Sequence, residues 1–200
     1  MSDFDADTLR FYNNEAETYV ASGPGGTSRF LGQFLDRLEP GAKVLELGCG
    51  GGTDALAIKS AGFVITPTDG SATIAAKAAA RLGTPVKVMR FDELSDELAF
   101  DAVWANASLL HVDRKHLPTI LAKVWRALRP GGLFFASYKG GGTEGRDSHG
   151  RYFNYLSLEQ AEALYAKSAA WQIEDTAEYI GGGFQGGSGP WIALFARRPA

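Results

Sequence analysis

A glycine-rich stretch is the part of this sequence whose residue types point most clearly to a bound ligand. It reads Glu46-Leu47-Gly48-Cys49-Gly50-Gly51-Gly52-Thr53 and lies where a short apolar run gives way to a helical pattern. Glycine lets the backbone approach a ligand with no Cβ in the way, and a helix N-terminus presents unpaired N–H groups. The stretch therefore predicts a ligand-binding turn, with a tight connection that binds nothing as the alternative.

Two aspartates follow the next two strand-like runs, where a nucleoside would need them. Asp69 ends the second run, and a carboxylate at this point can accept hydrogen bonds from both hydroxyls of a ribose. Asp92 follows the third run and could accept a hydrogen bond from the amino group of an adenine, while Leu94 packs on the adenine ring. In the competing interpretations Asp69 caps the next helix, a position that Ser71 can also fill, and Asp92 is a solvated turn residue.

The spacing of the glycines bears on which nucleotide is bound. The dinucleotide-binding fingerprint is G-x-G-x-x-G. When it is aligned on Gly48 and Gly50, its third glycine falls at Thr53, whereas the sequence reads G-x-G-x-G as far as Gly52. This spacing disfavours a nicotinamide-dependent oxidoreductase, which stays open as an alternative.

These residues must be positioned by strands and helices that alternate along the chain. We predict strands at residues 44–47, 64–68, 86–90, 100–105 and 133–138, and helices at 54–61, 72–82 and 117–128. The run Arg129-Pro130-Gly131-Gly132 ends the last of these helices, because proline cannot continue a helix and glycine suits a turn. Such alternation predicts a parallel sheet with right-handed crossovers and helices on both faces.

The last part of the chain follows a different pattern. A helix is predicted over residues 157–170, beginning with a capping box of Ser157 and Gln160. Two strand-like runs then follow, at residues 173–180 and 191–196. Only the glycine-rich residues 181–190 connect them, so we expect an antiparallel hairpin.

Length and composition are those of one globular domain. The chain has 200 residues, of which 45% are hydrophobic and 22% charged. Helical patterns at residues 11–20 and 30–38 precede the first strand. We divide the domain into an N-terminal helical cap (1–40), a cofactor-binding core (43–138), and a lid, helix and terminal hairpin (139–200).

Charge and cysteine content restrict the partners and the compartment. The net charge of −3 gives no general support for a nucleic-acid partner. The single cysteine, Cys49, fits a reducing compartment, and the acidic first residues lack the apolar segment of a secretory signal. No apolar run approaches the ~20 residues that a membrane helix needs. We therefore expect a cytoplasmic protein with neither a nucleic-acid nor a membrane partner, and its oligomeric state stays open.

Several segments, in order along the chain, resemble motifs of one enzyme family, the class I S-adenosylmethionine-dependent methyltransferases. They are the glycine stretch at 44–52, the ribose-binding segment at 68–71, Phe91-Asp92 at the adenine amino group, the fourth-strand segment at 100–106 and the turn at 128–132. The resemblance, which covers about residues 10–198, implies a Rossmann-like, doubly wound, mostly parallel seven-stranded sheet that ends in an antiparallel hairpin. It also implies S-adenosylmethionine as the cofactor and a small molecule as the methyl acceptor.

On this resemblance the cofactor site comprises residues of these motifs and an N-terminal tyrosine. The assigned residues are Glu46, Gly48, Cys49, Gly50, Gly52, Asp69, Gly70, Asp92, Glu93, Leu94, Asn106 and Tyr19. Gly70 departs from the family pattern, in which a larger apolar residue often covers the adenine. The ring is then less covered unless Phe91, Leu94 or Ile74 compensates.

The candidates for the acceptor side come from three segments. The resemblance implies that residues 11–19 fold over the cofactor, with Tyr12 and Tyr19 in contact, although these aromatic residues could equally dock a helix. His111 follows the fourth strand, where a base, a cofactor-lining residue and a structural histidine are all compatible with the sequence. Candidate catalytic residues are Tyr12, His111 and Arg151.

Residues 139–155 combine glycines with charged and aromatic side chains, which predicts a mobile lid. Their last six residues resemble a segment of small methyltransferases of the methyltransferase-domain or tellurite-resistance-like type. We assign Arg146, His149, Arg151 and Tyr152 to the acceptor, which would be anionic or aromatic. Alternatively, Arg146 pairs with Asp147 or Glu144 on a solvated loop, and Arg151 supports the fold.

The chemistry implied makes few demands on the sequence. Attack on a sulfonium methyl is an in-line displacement whose rate comes largely from orientation and exclusion of water. A general base is needed only if the acceptor must lose a proton, and no metal is required. Besides the oxidoreductase, a cofactor-binding module without transfer activity stays open. A nucleic-acid methyltransferase is disfavoured, because the fourth strand ends in Ala105-Asn106-Ala107-Ser108 and not in Asn/Asp-Pro-Pro-aromatic.

Overall fold

The computed structural model describes residues 4–21, 26–184 and 187–200. Its N-terminal part contains the helices α1 (Ala6–Asn14), α2 (Ala16–Ala21) and α3 (Leu31–Leu35). The helix predicted over 11–20 is therefore two helices, which meet at Glu15 after two asparagines, both weak helix formers. Residues 1–3 and 22–25 of the predicted cap lie outside the described residues.

The strands form a mostly parallel sheet with an antiparallel end. In chain order they are β1 (Lys43–Leu47), β2 (Val64–Asp69), β3 (Lys87–Val88), β4 (Phe100–Ala105), β5 (Leu128–Lys139), β6 (Gly145–Arg146), β7 (Tyr152–Phe153), β8 (Gln172–Gly182) and β9 (Ser188–Arg197). Among the described residues, seven of them form one sheet in the order β3-β2-β1-β4-β5-β9-β8. β9 runs antiparallel to both β5 and β8, which confirms the predicted terminal hairpin. Residues 185 and 186 of its connection lie outside the described part.

The helices that follow the N-terminal part cover the sheet on both faces. They are α4 (Thr53–Ser60), α5 (Ala72–Leu82), α6 (Leu117–Ala127) and α7 (Leu158–Ser168). Strand residues alternate between two buried cores, as the two-residue period of a strand requires: Val103 packs with α6 and α7, and Trp104 packs with α3 and α4. The predicted capping box of Ser157 and Gln160 begins α7. Burial on both faces holds the carboxyl ends of the parallel strands in place.

Two predicted boundaries differ from the structure. The third strand is shortened to Lys87–Val88, and a 3₁₀ turn follows at Phe91–Glu93. β5 begins at Leu128, so that the turn predicted at 129–132 lies inside the strand. The pairing of β4 with β5 shifts register between Phe100 and Ala102. Residues 129–132 therefore bulge out of the pairing with β4 while β5 continues.

Candidate functional site

The glycine stretch forms the turn between β1 and α4, at the carboxyl ends of the parallel strands. The N–H groups of Gly48 and Cys49 donate to the carbonyl of Thr68 at 3.0 and 2.8 Å, which ties the turn to β2. Gly48 has a φ of +76°, and a Cβ on it would lie 2.6 Å from the Cβ of Ser108. The backbone therefore reaches the edge of the sheet at a point where no larger side chain fits.

Asp69 lies beside this turn and faces a cavity. Its carboxylate accepts from the N–H of Gly50 at 3.0 Å and from the N–H of Ser71 at 2.9 Å. Ser71, not Asp69, caps α5, because its hydroxyl accepts from the N–H of Ile74. Each Asp69 oxygen keeps a lone pair for a ligand. Burial raises the pKa of Asp69 to about 6, against the lowering effect of these two hydrogen bonds.

The first cavity lies between this edge of the sheet and α1. Asp69, Gly70, Ile74, Phe91 and Leu9 are among its lining residues. A Cβ on Gly70 would lie 3.5 Å from the Cδ1 of Leu9. Leu9 of α1 thus occupies the space beside Gly70 that a larger residue would fill. Leu9 is far from Gly70 in the chain, unlike Phe91, Leu94 and Ile74, which were expected to compensate.

The side chains of residues 91–94, which follow β3, point in different directions, some into the first cavity and some into the core. Phe91 and Asp92 line the first cavity, and the Asp92 carboxylate accepts from Nε of Arg90 at 3.0 Å. Glu93 instead accepts from the N–H of Arg90 and does not line the cavity. Leu94 is fully buried in the core with α6, so the expectation that it packs on a ligand ring is wrong. The 3₁₀ turn accounts for this, since it directs Phe91 rather than Leu94 towards the cavity.

A second cavity adjoins the first on the other side of the glycine turn. Glu46, Cys49, Gly50 and Asn106 help to line it. Glu46 is buried, and its Oε2 has no hydrogen-bond partner among the described residues. Burial, with the nearby charges of Asp54 and Asp69, raises the pKa of Glu46 well above its usual value. A ligand that brings a positive charge to this wall would stabilise the carboxylate.

Asn106 is held in a polar network that the sequence analysis missed. Its Nδ2 donates to Ser28 Oγ at 2.7 Å, and its Oδ1 accepts from Ser137 Oγ at 2.8 Å. Asp54 accepts from the N–H of Ser28 and from Nε1 of Trp104. The sequence signal that could have revealed this network is Asp54, an acidic residue in the first turn of α4, where the helix dipole favours a negative charge. The network fixes the wall between β4 and α3.

Tyr12 and His111, two of the candidate catalytic residues, meet where the cavities adjoin. Both line both cavities, and the Tyr12 hydroxyl lies 2.9 Å from His111 Nε2. His111 Nδ1 lies 2.7 Å from the carbonyl of Tyr152, which can only accept, so Nδ1 carries the proton and Nε2 accepts from Tyr12. Burial lowers the pKa of His111 to about 4. The pair is thus a neutral, oriented hydrogen-bonding unit at neutral pH.

Arg151 is buried beside the second cavity, with 4% of its surface exposed. It forms an ion pair with Asp147 at 2.6 Å, and its guanidinium lies over the ring of Phe11 at 4.8 Å. Its NH1 points to the Tyr12 hydroxyl at 3.5 Å. Tyr19 lines both cavities and packs edge-on against Tyr12. The N-terminal helices and the 139–155 segment are therefore joined over the site.

Besides Glu93 and Leu94, four assigned residues line neither cavity. Arg146 is exposed and pairs with Asp5, which is neither of the partners considered from the sequence. His149 contacts the Phe11 ring, and the Tyr152 hydroxyl donates to Glu144, so Tyr152 serves the site only through its carbonyl. Gly52 is the N-cap of α4, where a Cβ would press on Leu82 of α5. The structure thus places none of these four residues in the described cavities, and their assignment to ligand binding stays a prediction.

Comparisons with known proteins decide the family. A methyltransferase-domain model matches residues 44–132. An uncharacterised methyltransferase of Synechocystis sp. is 32% identical over 159 residues, which is 76% of this chain and 70% of that protein. This chain belongs to the class I S-adenosylmethionine-dependent methyltransferases. It is therefore a methyltransferase.

Two further relatives extend the comparison. The trans-aconitate 2-methyltransferase of Deinococcus radiodurans is 34% identical over 103 residues, covering 50% of this chain and 39% of that enzyme. The fold matches the 1,6-didemethyltoxoflavin-N1-methyltransferase of Burkholderia thailandensis with a TM-score of 0.79 at 20% identity, over 98% of this chain and 88% of that one. Both names are those of methyltransferases, which supports this assignment over the oxidoreductase.

The residues of this methyltransferase fit the cofactor. The orphaned, buried Glu46 suits the ammonium of its methionine part, and Asp69 has free lone pairs for ribose hydroxyls. The described residues contain no group of three or more side chains that could hold a metal ion. No helix in the described ranges is long and apolar enough to cross a membrane.

Cofactor binding should depend on pH through Asp69. As the pH falls through about 6, the Asp69 carboxyl takes up a proton and loses acceptor capacity. Affinity for S-adenosylhomocysteine should then fall by up to about tenfold per pH unit below that value, because binding favours the deprotonated form. Calorimetric titrations across this range would measure it. A variant with Asp69→Asn should bind weakly with little pH dependence, and an identical pH profile in both proteins would contradict the assignment.

Proposed function

We propose that this methyltransferase transfers the methyl group of S-adenosylmethionine to a small molecule held in the second cavity, by in-line displacement. The observation that carries the proposal is that Tyr12, Tyr19 and His111 line both cavities. A cofactor whose nucleoside lies in the first cavity, and whose methionine part reaches Glu46 in the second, would meet an acceptor in the second cavity at these side chains. In this proposal the N-terminal cap, the core and the C-terminal part act together as one domain, since all three supply lining residues.

The relatives support a small-molecule acceptor. Trans-aconitate and 1,6-didemethyltoxoflavin are small molecules, and the enzymes named for them share the fold or part of the sequence of this chain. The second cavity is lined by aromatic side chains from β7, β8 and β9, including Phe153, Tyr179 and Trp191. Such walls suit a compact organic molecule with apolar surface.

When bound, S-adenosylmethionine supplies a methyl group on a sulfonium sulfur, a good leaving group. Asp69 holds the ribose through its remaining lone pairs, and Glu46 compensates the positive charge of the methionine ammonium. Phe91 and Leu9 give the adenine ring apolar walls. These contacts orient the cofactor, and its orientation supplies much of the rate.

Tyr12 and His111 act on the acceptor side. His111 Nε2 accepts from Tyr12, and the Tyr152 carbonyl keeps the imidazole in the tautomer that can do so. The Tyr12 hydroxyl is therefore held at the junction of the cavities, where it can hydrogen-bond the reacting group of the acceptor. Both side chains are half-buried, and bound cofactor and acceptor would complete the exclusion of water from this point, which prevents competition with the acceptor.

The Tyr12 hydroxyl gives a direct test. The change Tyr12→Phe should lower turnover by roughly 10- to 100-fold, the value of one positioned hydrogen bond in a buried site. Affinity for S-adenosylhomocysteine should change by less than about twofold, because ribose and methionine contacts persist. Tyr155→Phe is a matched control, since Tyr155 lines neither cavity. Equal turnover of the two variants would remove Tyr12 from the mechanism.

The function itself is tested by binding and transfer. S-adenosylhomocysteine and NADH are titrated side by side by calorimetry, and label from methyl-labelled S-adenosylmethionine is followed into small molecules. We expect saturable binding of the first ligand only, and label in a small-molecule product. Binding without transfer to any small molecule, but with transfer to protein or nucleic acid, would overturn the proposed acceptor.

A further inference from the structure

Lys139 is a positively charged side chain in the second cavity, and the proposed function gives it no role. It ends β5, lines the cavity, and lies over the Phe153 ring at 4.3 Å. No carboxylate lies within salt-bridge distance of it in the described part of the chain. Burial and the charge of Arg151 lower its pKa. A cation in such surroundings is stabilised by an anion that enters the cavity.

Arg151 adds a second cation on the same aromatic ring. Its guanidinium lies 5.3 Å from the centre of the Phe153 ring, on which Lys139 also packs. Asp147 pairs with Nε and NH2 of Arg151, while NH1 points towards Tyr12 at the junction of the cavities. NH1, the nitrogen that Asp147 does not engage, is therefore the part of the guanidinium that faces the cavity, where it donates to the Tyr12 hydroxyl. Because Asp147 neutralises much of Arg151, Lys139 supplies the uncompensated charge.

The remaining walls are flat and apolar. Phe184, Tyr179 and Trp191 line the cavity near Lys139, and Tyr179 lies nearly parallel to Trp191. A planar molecule packs well on such rings. The combination of paired cations with aromatic walls selects for a planar anion.

The junction lacks a group suited to removing a proton from a neutral acceptor. His111 is bonded to the Tyr12 hydroxyl and the Tyr152 carbonyl, and the described residues offer it no carboxylate partner. Burial lowers the pKa of His111 and raises that of Tyr12, so neither is matched to proton transfer at neutral pH. Asp54 is occupied by Ser28 and Trp104, and Glu46 faces the cofactor's ammonium in the proposed function. An acceptor atom that is already anionic needs no base.

We propose that the acceptor is a planar carboxylate bound by Lys139 and Arg151, and that one of its carboxylate oxygens receives the methyl group to give a methyl ester. This inference rests on the proposed function. The carboxylate oxygen forms a bond to the methyl carbon as the methyl–sulfur bond breaks, and the electron pair of that bond goes to sulfur. No proton is released, and the acceptor loses one negative charge. Lys139 and Arg151 orient the acceptor, and Tyr12, which donates to His111 and accepts from Arg151, holds the guanidinium in place.

The chemistry of the product provides the decisive test. Wild-type enzyme is incubated with methyl-labelled S-adenosylmethionine and with trans-aconitate, fumarate or benzoate, each beside its amide. Products are then treated with alkali, which releases labelled methanol from a methyl ester and not from an ether or an N-methyl group. We expect alkali-labile label from the acids and none from the amides. Alkali-stable label would overturn the inference while leaving the proposed function intact.

Binding separates the remaining outcomes. With S-adenosylhomocysteine bound, at least one acid of the panel should raise the melting temperature more than its amide does. Absence of both methylation and stabilisation by every acid would overturn the inference, whereas failure to bind S-adenosylhomocysteine would overturn the proposed function. Phenyl phosphate is tested beside benzoate. A stronger effect of the phosphate would show that the cations serve a phosphate rather than a carboxylate.

Lys139→Met tests the cation itself, because methionine keeps most of the apolar stem. The KM for the acid should rise by roughly 10- to 100-fold with unchanged affinity for S-adenosylhomocysteine, as expected for loss of a charge-assisted hydrogen bond. Lys115→Met is the matched control, since Lys115 is exposed and pairs with Asp113. A loss of cofactor affinity with an unchanged acceptor KM would assign Lys139 to the carboxylate of the cofactor and overturn the inference.

Discussion

Replacing Asp69 with alanine should weaken the binding of S-adenosylhomocysteine at least tenfold. The carboxylate holds the N–H of Gly50 in the glycine turn, and its other lone pairs face the first cavity. Charge-assisted hydrogen bonds contribute roughly 1.5–3 kcal/mol each, which corresponds to about 10- to 150-fold in affinity. The loss of two ribose contacts together with a loosened turn should therefore exceed the effect of any other single change in the first cavity. Calorimetry on the purified variant measures it directly.

The control separates the ligand contact from the support of the turn. Asp69→Asn keeps one oxygen that can accept from the Gly50 N–H but removes the charge. We expect its affinity to lie between those of the wild type and the alanine variant. A correctly folded Asp69→Ala protein, with a wild-type melting temperature and an unchanged dissociation constant, would remove Asp69 from the cofactor site.

Arg151→Ala should lower both stability and acceptor binding. The change leaves Asp147 without its partner and takes the guanidinium away from the rings of Phe11 and Phe153. Removing one partner of a largely buried ion pair costs about 2–4 kcal/mol of unfolding free energy, or roughly 5–15 °C in Tm for a chain of this size. From the sequence, substrate binding and support of the fold are alternatives for Arg151, whereas its position in the structure supports both. Thermal unfolding and the acceptor KM, measured on the same preparation, test the two together.

Arg146→Ala is the natural comparison, since it lies in the same segment. Its pair with Asp5 is exposed, and such pairs contribute at most about 1 kcal/mol. The double variant Asp147→Ala/Arg151→Ala should recover part of the stability lost in Arg151→Ala, because no unpaired carboxylate remains. An Arg151→Ala protein as stable as Arg146→Ala would show that the ion pair with Asp147 contributes little to the fold.

Features set by local patterns could be predicted from the sequence. The alternation of strands and helices, the terminal hairpin and the capping box of Ser157 follow from periodicity and from residues close in the chain. The turn at Gly48 and the position of Asp69 also follow, because parallel strands bring their carboxyl ends to one edge of the sheet. Errors arose where strand pairing overrode a local signal, as at residues 129–132, whose proline and glycines are accommodated by a bulge inside β5.

Side-chain direction in irregular segments could not be predicted in this way. Arg146 and Arg151 are similar in sequence context, yet one is exposed and the other buried. The difference arises because the carboxylate of Asp147 accepts from the N–H groups of His149 and Arg151, which reverses the chain between β6 and β7. No periodicity encodes such a turn. Leu94 was misplaced for the same reason, since a 3₁₀ turn decides which side chain enters the cavity.

By itself, the sequence determined that this protein has a doubly wound sheet, a glycine turn beside Asp69 and the motifs of a methyltransferase, because these depend on local spacing. Only the tertiary structure decided which distant side chains meet. It joins Tyr12 to His111, brings Leu9 next to Gly70, and sets Lys139 and Arg151 on one aromatic ring. Those contacts depend on how α1 and the segment after β5 pack over the sheet. Packing between segments far apart in the chain is governed by shape and burial, which no single stretch of sequence specifies.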